Sequence, residues 1–232
     1  MTWRTRLRSL LPLSLLALVN SAVAGSQWRS ACESAWKEGN PATVGSYCTK
    51  AADEGDAQSQ YYLGNIYFEG IGVPKDIKKG VDLWMKAANA GIRDAQHNVG
   101  RLYQKGIEVE QSFSKAMVWY RKAADQGDTY AMHNIGYFYQ TGSGVPVDYE
   151  KAEEWYLRAA SKGLANSQYN LAVMYYNGEE LPQDKVKGYA WLLLACEAEY
   201  TPARNDRAVL EENLTGEEKE RGEKLSRTLV RK

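Results

Sequence analysis

Apolar and polar positions recur along the chain with a period of 36 residues. The stretch from Gly144 to Gly163, GVPVDYEKAEEWYLRAASKG, returns from Gly72 to Gly91, from Glu108 to Gly127 and, in eroded form, from Glu180 to Glu199. Within each copy the apolar residues lie three and four positions apart, which is the spacing of one face of an α-helix. A fixed period of this length is typical of stacked units that cannot bury their apolar faces alone. The pattern therefore predicts an all-α protein of helix–turn–helix repeats.

Equivalent positions of the four copies predict where each helix ends and the next begins. The first helix of each copy carries an apolar column, Leu63, Val99, Ile135 and Leu171, beside a column of small residues, Gly64, Gly100, Gly136 and Ala172. Glycines that can close a helix in the left-handed conformation follow at Gly70, Gly106, Gly142 and Gly178. Residues suited to cap the second helix follow at Asp76, Ser112, Asp148 and Asp184.

The copies and their flanks give the expected organisation of the chain. We predict a signal peptide at 1–24, an N-terminal capping helical pair at 25–54, four repeats at 55–90, 91–126, 127–162 and 163–199, and a C-terminal helical cap at 200–232. The last segment contains Thr215 and Glu218 at the spacing of a helix capping box. Polar terminal helices of this kind keep an open-ended stack of repeats soluble.

The first 24 residues have the three parts of a secretory signal. Arg4, Arg6 and Arg8 precede an apolar run from Leu10 to Val19, and small residues follow up to Ala24. The run is about half the roughly 20 apolar residues that a membrane-spanning helix requires. We therefore expect cleavage after Ala24 and export to the periplasm, with secretion as the alternative, and no stable insertion in the membrane.

Charge excludes one class of partner. Residues 1–24 hold three of the 29 basic side chains and none of the 29 acidic ones, so the mature chain would carry a net charge of about −3. A chain of this charge has no general attraction for nucleic acid or for anionic membranes. With 25% charged and 44% hydrophobic residues, the composition is that of an ordinary globular protein.

The repeated residues resemble those of a known family. The order Leu-Gly, Tyr, Gly-x-Gly-Val, Asp, Lys-Ala, Trp-Tyr and Lys-Ala-Ala ending in Gly is similar to the Sel1-like repeat, a relative of the tetratricopeptide repeat with a longer turn. The resemblance covers about residues 55–199, with weaker capping units on both sides. It implies a right-handed α-solenoid of TPR-like repeats that holds other proteins, and it implies no shared reaction.

The cysteines fit an exported protein. Cys32 and Cys48 fall on the two helices of the opening pair, at expected core positions. In an oxidising compartment they can form a disulfide, and the alternative is two buried thiols. Cys196 occupies the column of Ala88, Ala124 and Ala160, which favours a small core residue over a reactive nucleophile.

The sequence offers little to a catalytic or metal site. His97 and His133 are one period apart, in the column that also holds Tyr61 and Tyr169, which favours aromatic packing over general-base or metal-ligand roles. No CxxC, HExxH or GxSxG motif is present. Ser112 and Lys115 match the S-x-x-K of penicillin-binding enzymes, but each belongs to a repeat column, of helix caps and of lysines. We expect no catalytic residue, no metal and no cofactor.

The analogy with tetratricopeptide repeats places the binding surface on the first helices, along a line offset from the core stripe and facing a concave groove. We call this line the first-helix stripe. It includes Tyr130, and its predicted partner-binding residues are Tyr61, Asn65, Phe68, His97, Arg101, Gln104, His133, Tyr137, Gln140, Tyr169 and Tyr176. Tyrosine, histidine, arginine and amide side chains combine contact area with hydrogen-bonding ends, as is common at protein interfaces.

The predicted function is a non-enzymatic adaptor or scaffold of the bacterial cell envelope that binds another envelope protein or a peptide in the groove. The alternatives are an envelope hydrolase acting on peptidoglycan or β-lactams, and a secreted factor that meets host proteins. The sequence leaves open the partner, the oligomeric state, whether Cys32 and Cys48 are bonded, and whether the C-terminal helix occupies the groove.

Overall fold

The computed structural model describes residues 27–39, 41–178 and 181–229, so the predicted signal peptide lies outside the described residues. Twelve helices and no strands occur in this part of the chain, which confirms the all-α repeat fold. They are α1 (27–38), α2 (Pro41–Asp53), α3 (Ala57–Glu69), α4 (Ile77–Asn89), α5 (Arg93–Lys105), α6 (Phe113–Asp125), α7 (Thr129–Thr141), α8 (Tyr149–Ala160), α9 (Ala165–Asn177), α10 (Lys185–Glu197), α11 (Thr201–Glu212) and α12 (Gly216–Leu229).

Each first helix ends, and each second helix begins, at the residue that the sequence predicts. The carboxylates of Asp76, Asp148 and Asp184 accept a hydrogen bond from the backbone amide three residues later, each at 2.9 Å, and the Ser112 hydroxyl accepts a longer one at 3.3 Å. The predicted glycines close the first helices with positive φ, for example 77° at Gly70. These local signals fix the helix length, which is 12 or 13 residues from α3 to α10.

The chain forms two compact units, which divide between Ile92 and Arg93. In the first unit α2 packs on α3 and α3 on α4. Its core includes Val44, Leu63 and Ile66 together with Cys32 and Cys48, which are bonded to each other. The disulfide joins α1 to α2, and the structure thereby places both cysteines in the core of the opening helical pair.

In the second unit the helices α5 to α10 form three helical hairpins, α5–α6, α7–α8 and α9–α10. The second helix of one hairpin packs on the first helix of the next. The core runs without interruption from α6 to the C-terminal helices. The largest fully buried side chains include Tyr120, Tyr156 and Tyr189, which come from the second helices α6, α8 and α10. Each second helix therefore supplies one buried tyrosine to the layer between hairpins.

The helix α11 continues the repeat beyond the fourth copy. It packs on α10 as α7 packs on α6 and as α9 packs on α8. Ala203 is fully buried in the column that Ser167, Ala131 and Ala95 occupy in the preceding first helices. The helix α11 is thus the first helix of a fifth, incomplete repeat.

The helix α12 leaves the repeat pattern. It packs against α10 instead of pairing with α11, and Gly222 lies so close to the Tyr189 ring that an added Cβ would be 2.6 Å from Cδ1. The predicted capping box starts this helix, because Glu218 N–H donates to Thr215 Oγ1 at 3.2 Å and Thr215 N–H donates to Glu218 Oε2 at 2.8 Å. All nine residues from Gly188 to Cys196 of α10 are buried.

Candidate partner-binding site

In the first unit, the first-helix stripe is tied to the second helix of its own repeat. Trp84 on α4 donates its Nε1–H to Asn65 Oδ1 at 2.9 Å, and its ring stacks on Phe68 with centroids 4.4 Å apart. The Tyr61 ring lies 5.7 Å from that of Tyr62. Asn65 and Phe68 therefore hold α3 against α4.

The two glutamines of the stripe have the same structural role in the second unit. The buried Tyr120 hydroxyl donates to Gln104 Oε1 at 2.6 Å, and the Tyr156 hydroxyl donates to Gln140 Oε1 at 2.7 Å, one repeat later. A buried phenol needs a hydrogen-bond partner, and these amides supply it. Gln104 and Gln140 thus satisfy the tyrosines that fill the core.

The two histidines connect successive first helices. His97 Nδ1 lies 3.3 Å from Oδ1 of Asp128, the residue that caps α7 by accepting from the Ala131 amide at 2.7 Å. His133 Nδ1 lies 2.9 Å from Ser167 Oγ on α9. Both imidazoles are only partly exposed.

Burial and contacts determine the protonation of His133 and Asp128. Burial lowers the pKa of His133 to about 4, so the ring is neutral at pH 7. Burial acts to raise the pKa of Asp128, but its contacts with His97 and the Ala131 amide outweigh that effect and hold the pKa below its ordinary value. Asp128 is therefore an ionised helix cap.

The last two tyrosines of the stripe bind α11. The Tyr169 hydroxyl donates to Asp206 Oδ2 at 2.5 Å, and the Tyr176 hydroxyl donates to the Leu210 carbonyl at 3.2 Å. The bond to Asp206 raises the pKa of Tyr169 to about 12. The helix α11 thus lies beside α9 as the next first helix and covers the C-terminal end of the stripe.

Three stripe residues of the second unit remain turned to solvent. Arg101 on α5 is exposed, and on α7 Tyr130 and Tyr137 are 59% and 45% exposed. Tyr130 has an edge-on contact with the His97 ring, with centroids 6.3 Å apart, which joins the α5 and α7 parts of the surface. We call Arg101, Tyr130 and Tyr137 the α5–α7 patch.

The possible Ser–Lys pair does not form a catalytic arrangement. The Ser112 hydroxyl is occupied as the cap of α6 and lies 3.1 Å from Ser114 Oγ. The Lys115 ammonium lies over the Tyr103 ring, 5.5 Å from its centroid. Among the described residues no group of three histidine, cysteine or carboxylate side chains is arranged to hold a metal ion.

No helix within the described part of the chain combines the length and apolar character needed to cross a bilayer. In each unit, described residues line a cavity. One, of about 240 Å³, lies in the first unit beside Trp36, Val44 and Ile66. The other, of about 450 Å³, lies between the last three helices of the second unit.

Several solved structures are similar to this chain. A Sel1 repeat protein from Oxalobacter formigenes is 28% identical, with a TM-score of 0.72 over 90% of this chain and 87% of that one. A protective antigen of uropathogenic Escherichia coli strains, which displays an SLR fold, is 26% identical, with a TM-score of 0.52 over 81% of this chain and 48% of that one. An immunity protein from Pseudomonas aeruginosa, 17% identical with a TM-score of 0.51 over 88% and 82% of the two chains, shares the fold alone.

Sequence similarity identifies the family of this chain. A search of curated proteins found no match. The model of the Sel1 repeat matches four consecutive segments, 57–92, 93–128, 129–164 and 165–200. These four segments make up more than half of the sequence and coincide with the helical pairs from α3 to α10. The chain therefore belongs to the Sel1 repeat family.

Proposed function

We propose that this chain is a non-enzymatic adaptor of the bacterial cell envelope, which binds a segment of another protein through the α5–α7 patch. Sel1 repeat proteins generally mediate protein–protein interactions. The observation that carries the proposal is the contrast within one stripe. Asn65, Gln104, Gln140, Tyr169 and Tyr176 are engaged by neighbouring helices, whereas the α5–α7 patch projects into solvent.

The chemistry of the patch suits a protein ligand. Tyrosine offers a large, rigid ring with a hydroxyl at its end, and the Arg101 guanidinium can bind a carboxylate or a backbone carbonyl. Tyrosine and arginine are also enriched among the residues that dominate binding energy at interfaces. Two exposed tyrosines on α7 and an exposed arginine on α5 therefore offer anchor residues for a partner segment.

Two features support an envelope location. The first 24 residues have the composition of a signal peptide. The bond between Cys32 and Cys48 is of a kind that persists in oxidising compartments and is rare in the bacterial cytosol.

A crosslinking pull-down from the envelope fraction of the source bacterium, with the mature chain as bait, tests the proposal. The double variant Arg101→Glu with Tyr137→Ala should fold normally and lose the partner, because both residues are exposed. The matched control is Lys122→Glu with Val118→Ala, which makes the same kinds of change on the exposed side of α6. A partner retained by the first variant and lost by the control would place binding on the second helices and contradict the proposal.

A further inference from the structure

The larger cavity, of about 450 Å³, exists because α12 packs on α10 and leaves a gap beside α11. Three arginines and two glutamates line it, together with the thiol of Cys196: Arg204 and Arg207 from α11, Arg227 and Glu223 from α12, and Glu197 from α10. The cavity is open on one side, since its five charged residues are exposed to solvent, and its volume lies within the range of small-ligand sites in proteins. It is separate from the α5–α7 patch and lies wholly within the second unit.

The arginines differ in how firmly they are held. Arg207 binds Glu211 at 2.7 Å, and that carboxylate also accepts from Tyr189 at 2.7 Å, so this guanidinium is fixed. Arg204 pairs with Glu199 at 3.1 Å, but both side chains are more than half exposed, and such surface pairs exchange readily. Arg227 has no ion pair within the described residues. Two guanidinium groups from different helices are therefore available to a carboxylate.

Two glutamates add negative charge to the lining of the cavity. Glu197 and Glu223 lie on its wall, and neither carboxylate is in an ion pair in the described part of the chain. Leu193 and Cys196 from α10 provide an apolar wall. A lining with available arginines, unpaired glutamates and an apolar surface matches a ligand that carries a carboxylate, an ammonium group and a short apolar portion.

We propose that the cavity between α10, α11 and α12 binds an amino acid or short peptide with free termini. The carboxylate of the ligand binds Arg204 and Arg227, its ammonium group binds Glu197 and Glu223, and its side chain packs on Leu193 and Cys196. The site is a function in addition to protein binding at the α5–α7 patch and does not depend on it.

Cys196 provides a reporter for the test. The sequence has three cysteines, of which Cys32 and Cys48 are bonded, so Cys196 is the single free thiol. Burial raises the pKa of this thiol, so its alkylation by iodoacetamide is followed at alkaline pH. The probe is the tripeptide Ala-Leu-Ala with free termini. At ten times its Kd it should slow alkylation about tenfold, since only the unoccupied site reacts.

Variants and modified probes separate the parts of the proposal. The C-terminal amide and the N-acetyl form of the tripeptide should each protect Cys196 less than the free peptide. Arg227→Gln should abolish protection, whereas Arg221→Gln, an exposed arginine of the same helix outside the cavity, should preserve it. Isothermal titration of the same peptide into the full chain gives a second readout that does not depend on thiol reactivity.

Three results would contradict the proposal. Absence of both protection and binding heat with the free tripeptide would remove the site. Equal protection by sodium acetate, or undiminished binding by Arg227→Gln, would show that the lining does not recognise the two charges together.

Discussion

At the scale of single residues, the repeats depend on the contact of a glycine with an aromatic ring. Gly100 on α5 lies against the Tyr120 ring, and Gly136 on α7 lies against the Tyr156 ring in the same way. Added Cβ atoms would come within 2.7 Å and 2.8 Å of ring carbons. The absence of a side chain on the first helix makes room for the ring of the second, whose hydroxyl then reaches Gln104 or Gln140.

Two glycine-to-alanine substitutions should act in opposite directions. Gly100→Ala should destabilise the second unit by about 1–3 kcal/mol, because Tyr120 is fully buried and cannot move away. Gly45→Ala in α2 should stabilise the first unit by about 0.5–1 kcal/mol, because nothing lies within 4 Å of the added methyl group and alanine favours the helix. Urea unfolding with hydrogen exchange of α5 and α2 measures both effects. Destabilisation by Gly45→Ala would contradict this packing.

The neutral His133 should make stability depend on pH. Its pKa falls from an ordinary 6.5 to about 4 in the folded chain, so the unfolded chain binds the proton more tightly. Stability is therefore full above pH 6.5 and decreases as the pH falls towards 4, by a total of about 3 kcal/mol. His133→Gln, which keeps a hydrogen-bonding group towards Ser167, should flatten the curve between those values. Equal slopes for the two proteins in urea denaturation would disprove the assignment.

At the scale of helices, the same connection joins the first helix to the second in each of the four repeats, and a different one joins α11 to α12. The side-chain caps at Asp76, Ser112, Asp148 and Asp184 start each second helix at the same point of the repeat. The helix α11 has no side-chain cap of its own and is held instead by its side chains, which bind Tyr169 and Tyr189 through Asp206 and Glu211. Docking, more than local sequence, therefore keeps α11 in place.

Substitution of Ala203 tests the position of α11. Ala203→Leu should overfill the site beside α10 and cost about 1–3 kcal/mol, with loss of the bond between Tyr169 and Asp206. Hydrogen exchange of the α11 amides should accelerate, while that of α7 stays unchanged. Ala208→Leu on the exposed side of the same helix is the control and should leave exchange as it is. Unchanged protection in Ala203→Leu would mean that α11 is not docked through this column.

At the scale of the whole molecule, the two units are stabilised differently. The second unit has eight helices, α5 to α12, and a continuous apolar core that runs from α6 to the C-terminal helices. The first unit has four helices and a smaller core, and it carries the disulfide. A covalent link in the smaller core offsets its limited apolar burial.

Removal of the disulfide should weaken the first unit. The bond spans 16 residues, for which the loss of loop entropy in the unfolded chain corresponds to about 3 kcal/mol. Cys32→Ala with Cys48→Ala should lower the protection of α2 and α3 against hydrogen exchange by that amount. A thiol assay of the unreduced, denatured chain should find one thiol per molecule, from Cys196. Three thiols would show that the bond does not form.

The repeat itself could be predicted from the sequence, because its period, glycines and caps are local and recur in register. The cap at Asp148 and the closing glycine at Gly142 are examples that the structure confirms. The internal contacts of the stripe could not be predicted, because a column shows which face a residue occupies and does not show what it touches. Gln104 and Tyr169 share a face with Arg101. Only the structure shows that Gln104 binds the Tyr120 hydroxyl and that Tyr169 binds Asp206 of α11. The cavity beside Cys196 could not be predicted either, because α12 does not follow the 36-residue period.

The measurement that tests the central claim most directly is photocrosslinking from position 137 of the mature chain in the envelope of the source bacterium. p-Benzoylphenylalanine in place of Tyr137 should give one partner adduct, and the adduct should disappear when Arg101→Glu is added. The same photoreactive residue in place of Val118, which is 53% exposed on α6, should give none. An adduct from position 118 alone, or the same adduct from both positions, would contradict binding at the α5–α7 patch.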